Sequence, residues 1–336
     1  MVQKKHLIVT SISAPNKVLK DLAEGSRKNG FEFILIGDTK SPADFYLEYC
    51  RFYDIQKQLD SGLRYAKLCP VRHYARKNIG YLIAMRENAE YIIETDDDNF
   101  PLKDFWKERH LRQRTRRIIN TGWVNIYGYF SDDFIWPRGY PLVLLQNNKP
   151  ALSDIEEIEC PVQQGLADEN PDVDAVYRLT YPLPKNFRKE QPIALGNDVW
   201  SPFNSQNTTW FPEAYALMYL PAYCSFRMTD IWRSFITLRI LHENDRNLMF
   251  HSPTVWQERN EHNLMKDFED EIPGYLNNER IVNILNETKL KKGREYNSEN
   301  LLTCYQALCH HGIFEEKELE LLNAWIEDIN EIKKST

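Results

Sequence analysis

The sequence predicts an α/β protein with a mixed, mostly parallel sheet and a helical C-terminal extension, and three observations predict it. First, "HLIVTSI" (6–12), "NKVLKDLAEGSRKNG" and "FEFILIG" (31–37) read as strand, helix and strand, the unit that makes parallel pairs. Second, a helix-periodic stretch at 71–89 runs into another apolar strand, "EYIIET" (90–95). Third, from about residue 275 onward apolar residues keep helical spacing, with Ser298 and Glu315 as starts. The division this predicts is a sheet-based domain over 1–270 and a helical region over 271–336.

Taken in order, the elements also mark where a ligand would gather. The first helix closes at Gly30, whose missing Cβ suits a left-handed position after the last turn. Ligands of parallel sheets collect beyond the carboxyl ends of the strands. Thr10 and Ser11 follow the first strand and Asp38 the second, in "GDTKSP", where it also fits an ordinary turn residue. In the next helix Ala75, Ile79, Leu82 and Ile83 form one apolar stripe. Its first turn carries Arg72, His73, Arg76 and Lys77. Cations there oppose the helix dipole unless an anion joins them.

The strand at 90–95 delivers "DDD", Asp96, Asp97 and Asp98. Adjacent carboxylates repel unless a cation or solvent intervenes. Asp96 and Asp98 share one side of an extended segment, the placement for one hard divalent ion, and Asp97 points away. An acidic loop leading into "LKDFW" is the plainer alternative. Further on, Asp168, Asp172 and Asp174 read as a turn before a strand "AVYRLT", with Arg178 paired internally, or else as a second carboxylate site. The stretch 201–215, "SPFNSQNTTWFPEAY", combines amides, hydroxyls and rings, which grip sugar hydroxyls and ring faces or else form a polar loop. "DIWRSFITLRILHEN" reads as a helix, and the segment after it supplies His251, Arg259 and His262.

Composition narrows the class. With 42% hydrophobic and 27% charged residues the chain is globular, and a 12% aromatic share allows a groove lined by rings. A net charge of −7 with no basic half argues against a nucleic-acid partner. The exception, "KERHLRQRTRR" (107–117), reads as a solvated helix face or an anion-binding edge. Six scattered cysteines without a C-x-x-C pair suggest neither zinc nor disulfides and fit a reducing cytoplasm. The N-terminus "MVQKKHLIVTSI" is too short in apolar residues for a signal peptide, and no later stretch approaches a membrane span. A soluble, cytoplasmic protein is expected.

Three blocks carry a resemblance: "YARKNIGYLIAMRENAEYIIETDDDN", "QGLADENPDVDAVYRLT" (164–180) and "SFRMTDIWRSFITLRIL" (225–241). They are similar, in the same order and within residues 5–265, to the STELLO family of glycosyltransferases, and more distantly to reversibly glycosylated polypeptides. The plant STELLO proteins are Golgi proteins with a membrane anchor and extra domains, so their localisation and cellulose-related partners are not carried over. The resemblance implies a GT-A-like (Rossmann-like) nucleotide-sugar-binding domain using Mn2+ or Mg2+. It implies that Thr10, Ser11, Asp38, Arg76, Lys77, Asp96 and Asp97 contact the nucleotide-sugar, and that Asp96 and Asp98 hold the metal, with His251 or His262 as a further ligand. Asp230 in "TDIWRS" would be the general base, or in the plainer reading a helix N-cap. Arg233, one turn on, would pair with Asp230 or a phosphate. Asn204, Gln206, Asn207 and Trp210 would meet the acceptor.

The function expected is transfer of a sugar from a nucleotide-sugar, a UDP-sugar above all, to a hydroxyl acceptor such as a glycan. Two alternatives stand beside it: a nucleotide-sugar mutase and a non-catalytic scaffold of the same fold. The helical tail could pack on the sheet domain, extend an acceptor surface or make a homo-oligomer.

Overall fold

The computed structural model describes residues 4–119, 122–146, 149–258 and 263–335. Its parallel start follows the patterning. In strand β1 (Lys4–Thr10), Leu7, Ile8 and Val9 are fully buried, as a strand covered on both faces requires. Helix α1 (Lys17–Asn29) opens with the Asn16 side chain accepting the Leu19 N–H and closes at Gly30, φ 71°. Strand β2 (Phe31–Ile36) returns parallel to β1 and is flanked by the short strand β3 (Arg51–Tyr53). Two short helices, α2 (Ile55–Asp60) and α3 (Arg64–Leu68), and a 3₁₀ turn over Tyr74–Arg76 lead into α4 (Lys77–Arg86). This helix is buried on nearly every side, Lys77 and Asn78 included, rather than along the expected stripe. The sheet covers one side of it and a C-terminal helix the other.

Strand β4 (Ala89–Thr95) pairs with β1 on the side opposite β2, so the first four strands stand in the order β3-β2-β1-β4, all parallel. The strands that follow are β5 (Asn99–Pro101), β6 (Arg112–Ile118), β7 (Gly122–Trp123), β8 (Glu156–Glu159) and β9 (Val162–Asp168). After helix α5 (Ala175–Thr180) come β10 (Ile193–Leu195), β11 (Val199–Trp200) and β12 (Asn207–Trp210). Helix α6 (Thr229–Glu243) and strand β13 (Leu248–Gln257) complete the sheet region. Beyond β4 the sheet continues β12-β9-β13-β10-β6-β8, with β12 antiparallel to both neighbours and β9 parallel to β13. Strands β7 and β11 form a separate ribbon.

Two local expectations are corrected. Residues 112–118 are a strand, not a helix face: Arg112, Arg114 and Arg116 project to the exposed side of β6, and acidic β8 pairs with two arginines of the strand, Arg112–Glu159 (3.1 Å) and Arg117–Glu156 (2.7 Å). "AVYRLT" is helix α5, because the Asp174 side chain accepts the Tyr177 N–H and starts a helix that its β-prone residues alone would not.

Helices α7 (Leu264–Glu287), α8 (Asn297–His310) and α9 (Lys317–Ser335) form the helical C-terminal region. One apolar cluster joins Ile8 and Trp210 of the sheet to Leu82 of α4 and Trp325 of α9; a second, with Leu7, Leu22 and Phe33, lies under α1 on the other face. The result is the expected α/β architecture, a mixed sheet with a helical C-terminal region. All six cysteines are free. Among the described residues no helix is long and apolar enough to cross a membrane.

Candidate active site

The strand order reverses between β1 and β4, and in such sheets a crevice opens beyond that point. A cleft of about 570 Å³ lies there, within the range of small-ligand sites. Thr10, Ser11, Asp38, Asp96, Asp97 and Asp98 all line it. The Ser11 hydroxyl donates to Asp97, tying the ends of β1 and β4 together, and the Asn16 amide donates to the Asp97 carbonyl at 2.9 Å. Asp97 therefore faces β1 instead of turning from the ligand side, and burial holds its carboxyl above the usual range. Asp38 is both turn residue and cleft wall: its oxygens accept the N–H groups of Thr39 (2.6 Å) and His73 (3.1 Å). Burial lowers the affinity of the His73 ring for a second proton despite the nearby Asp38.

Asp96 is held on one oxygen. Its Oδ1 accepts from Lys77 Nζ (3.0 Å) and Tyr74 OH (2.8 Å), while Oδ2 makes no hydrogen bond among the described residues and the side chain is 30% exposed. Lys77, expected beside the nucleotide, is instead fully buried behind Asp96, where it also donates to the Thr95 carbonyl at 2.8 Å. Asp98 Oδ2 accepts from Gln257 at 3.0 Å. An uncommitted carboxylate oxygen on Asp96, with Asp98 two residues on, fits a hard divalent ion. Among the described residues no group of three or more His, Cys, Asp or Glu forms a cage, so water and ligand phosphates would have to complete the shell. His251 does not help. It lies six residues from Gln257 along β13, about 20 Å at strand rise and less across the bulge, with Nδ1 2.9 Å from the Ser252 carbonyl. Burial pushes its imidazole down to about 3. His262, like Arg259, lies outside the described residues.

Arg76 supplies what the polar first turn of the helix suggested. It is 2% exposed and lines the cleft; Nε donates to Gln58 Oε1 and Nη1 to the Cys69 carbonyl, both at 2.8 Å, and Nη2 has no partner among the described residues. A buried guanidinium with an unused donor is prepared for an anion. Neighbouring Arg72 adopts φ 56°, a conformation that side chains take at some cost and that clusters at ligand sites.

Asp230 stands in the first turn of α6, 8% exposed, on the cleft wall. It is not the N-cap, since that position is Met228 without a side-chain bond. Arg138 Nη2 reaches both of its oxygens (3.1 and 3.2 Å), and the Ser205 N–H and hydroxyl each lie 3.1 Å from Oδ2. Arg138 also makes a bidentate pair with Asp172 (2.8 and 2.9 Å) and donates to the Arg227 carbonyl. Burial would raise the Asp172 carboxyl, but the Arg138 guanidinium overrides it and holds the group below the ordinary range. One arginine thus serves two carboxylates at the cleft floor. Asp172 was legible as an acidic residue; Arg138 carried no signal in sequence.

The structure parts company with several expected contacts. Arg233 points into the core, bonded to Glu94 (2.8 and 3.2 Å) and 5.0 Å over the Trp210 ring. Trp210 is fully buried with its indole N–H 2.7 Å from Glu94, because its register partner Ile92 lies well back from the mouth of β4. Asn207 secures the Leu166 carbonyl (3.1 Å) and Thr254 Oγ1 (2.8 Å), and Asn204 braces Asp172 at 2.7 Å. Of the four expected acceptor residues only Gln206 lines the cleft. Phe226, 59% exposed and edge-on to Tyr74, presents the aromatic surface there instead.

Fold and cleft together define an α/β protein with acidic side chains and a buried arginine with an unused donor at the switch point of its sheet. Comparison with known proteins narrows this. The sequence pattern of the family described as "STELLO glycosyltransferases" matches residues 227–335. Two curated Arabidopsis thaliana proteins, "Probable glycosyltransferase STELLO2" and "Probable glycosyltransferase STELLO1", are each 26% identical over 347 aligned residues, covering 97% of this chain and 44% of theirs. By these matches the chain is similar to STELLO proteins along nearly its whole length, and it spans less than half the length of the curated proteins it matches. A solved structure described as "Crystal Structure of a Mycobacterial Protein" overlays with a TM-score of 0.42 at 10% identity, over 82% of this chain and 74% of that one, a likeness too loose to carry weight.

Proposed function

We propose that the chain is a glycosyltransferase that binds a nucleotide-sugar, a UDP-sugar in particular, in the cleft at the ends of β1, β2 and β4 and transfers the sugar to a hydroxyl acceptor. The observation that carries this reading is the convergence, from separate parts of the sequence, of Ser11, Asp38, Arg76, Asp96–Asp98 and Asp230 on one cleft. Thr10, Ser11 and Asp38 offer hydroxyl and carboxylate oxygens to a base and ribose. Arg76, with its unused donor, takes a phosphate oxygen. Asp96 and Asp98 would hold Mn2+ or Mg2+, which neutralises the departing diphosphate when bound. Asp230 accepts the proton of the acceptor hydroxyl, and Arg138 with Ser205 keeps its carboxylate aimed. The acceptor enters past Phe226 and Gln206.

The test is a calorimetric titration with UDP-sugars in the presence and absence of Mn2+, followed by transfer assays. Asp96→Asn and Asp98→Asn are expected to weaken metal-dependent nucleotide binding with the fold intact. Asp230→Asn keeps an oxygen for Arg138 but takes no proton; it is expected to bind donor normally and slow transfer by ~10²–10⁴. Donor affinity indifferent to metal in the parent and both variants would remove the metal role. Transfer surviving Asp230→Asn within a few-fold would remove the base.

A further inference from the structure

A second cleft, of about 580 Å³, opens at the other end of α6. It lies between the last turns of α6 and α7 and the β7–β11 ribbon. Asp230 and His242 are twelve residues apart on α6, about 18 Å at helical rise, and the helix is buried along nearly all the length between them. The two clefts are therefore separate places on the molecule.

The walls of this second cleft combine rings and uncommitted polar groups. Trp123 is half-buried and set edge-on against Phe235 at 5.3 Å and Tyr140 at 6.2 Å, which fixes its plane. In the same wall His242, 7% exposed, packs edge-on to Trp200 at 5.1 Å, and neither ring nitrogen has a hydrogen-bond partner among the described residues. The Val199 carbonyl lies near enough to favour a protonated ring without completing a bond, while burial and then Arg239 push the imidazole down to about 3. The ring is thus neutral and offers one donor and one acceptor. A buried polar group left in that condition calls for a ligand or water. At the rim the side chains of Asn283, Asn286 and Asp198 have no protein partner among the described residues.

Charge selects the ligand class. Among the described residues the one cation in the wall is Arg239, and it is fully engaged: Nη1 with Glu243 at 3.0 Å, Nε with the Leu285 carbonyl at 2.9 Å, and Nη2 with the Thr288 carbonyl at 3.1 Å. Nothing is left to hold a phosphate, and Asp198 would repel one. Planar amides, a carboxylate and a neutral imidazole around a fixed indole suit a neutral molecule with many hydroxyls and one apolar face. We propose that this second cleft is a binding site for a neutral saccharide, its apolar face against Trp123 and its hydroxyls bonded to Asn283, Asn286, Asp198 and His242. The proposal stands independently of the catalytic reading of the first cleft.

The full chain is titrated by calorimetry and saturation-transfer NMR with neutral tetrasaccharides of the glucan, xylan, mannan and galactan types, with UDP and inorganic phosphate as controls. At least one tetrasaccharide is expected to bind saturably and to perturb tryptophan emission. The exposed double variant Asn283→Ala/Asn286→Ala is expected to keep its melting temperature and lose roughly tenfold or more in affinity, while Asp96→Asn leaves saccharide affinity unchanged. The proposal is overturned if no tetrasaccharide binds saturably, if the double variant binds as tightly as the parent, or if phosphate competes. Loss of saccharide binding on Asp96→Asn would place the sugar in the first cleft and overturn it equally.

Discussion

Single residues here divide by what shares their charge. Arg138 stands between Asp172 and Asp230, so neutralising one carboxylate leaves the cation to the other. With Asp172→Asn, Arg138 loses its bidentate carboxylate and keeps Asp230 as its ionic partner. Transfer is expected to slow while donor binding persists, and turnover equal to the parent's would show that Asp172 has no hold on the Arg138–Asp230 pair. Arg233 shows the opposite situation, a buried cation whose partner Glu94 is itself fully buried. Removing one member of such a pair leaves the other uncompensated, at a cost of about 3–5 kcal/mol. Arg233→Ala is expected to lower the melting temperature sharply while leaving the per-molecule activity of whatever remains folded near the parent's. A stable, inactive variant would restore Arg233 to catalysis.

Among the elements, α9 reaches back to segments far from it in the chain. Near its start Glu318 is buried and accepts the Tyr219 hydroxyl and the N–H groups of Ala222 (3.0 Å) and Tyr223 (2.6 Å). Burial outweighs these bonds and raises its carboxyl from 4.5 to about 7. A carboxyl raised on folding favours the folded state most when protonated. That contribution is complete below about pH 4.5 and is lost as pH rises through about 7. Glu318→Gln keeps the acceptor oxygen and cannot ionise. The parent is expected to lose melting temperature between pH 4.5 and 7 relative to this variant, and parallel curves over that window would contradict the assignment. Later in the same helix Asp328 accepts the N–H groups of Arg64 (2.9 Å) and Tyr65 (2.8 Å), capping α3, whose own Leu63 has no capping side chain.

At the scale of the whole molecule, the helical C-terminus supplies core to the sheet. Leu322, Ala324 and Trp325 are fully buried in the same cluster as Ile8 and Leu82, and the Trp325 indole donates to the Ala216 carbonyl at 3.0 Å. Deleting residues 316–336 uncovers α4, which is apolar on both faces, and removes the cap of α3. The truncated chain is expected to lose its cooperative melting transition and to bind a hydrophobic dye. A truncation that melts cooperatively near the parent temperature would make the helices a separable appendage.

Much of this was legible locally. Gly30 ends α1, the strands β1, β2 and β4 stand where their apolar runs lie, and the aspartates fall at the strand end where a ligand site belongs, because caps, strand patterning and helix starts depend on residues a few positions apart. Asp230 was found by its block, yet its surroundings were not. The path from Arg138 to Asp172 and Asp230 crosses the chain, and no spacing announces it. Spacing also misplaced Arg233 and Trp210: proximity in sequence to a site residue says nothing about which side chain faces the cleft and which turns to a buried carboxylate such as Glu94. The sequence by itself determined the α/β class, the order of the first elements and the acidic strand end. Only the tertiary structure decided which charges neutralise one another and which donors, Arg76 Nη2 among them, remain unused at a cavity, because those outcomes depend on packing between segments far apart in the chain.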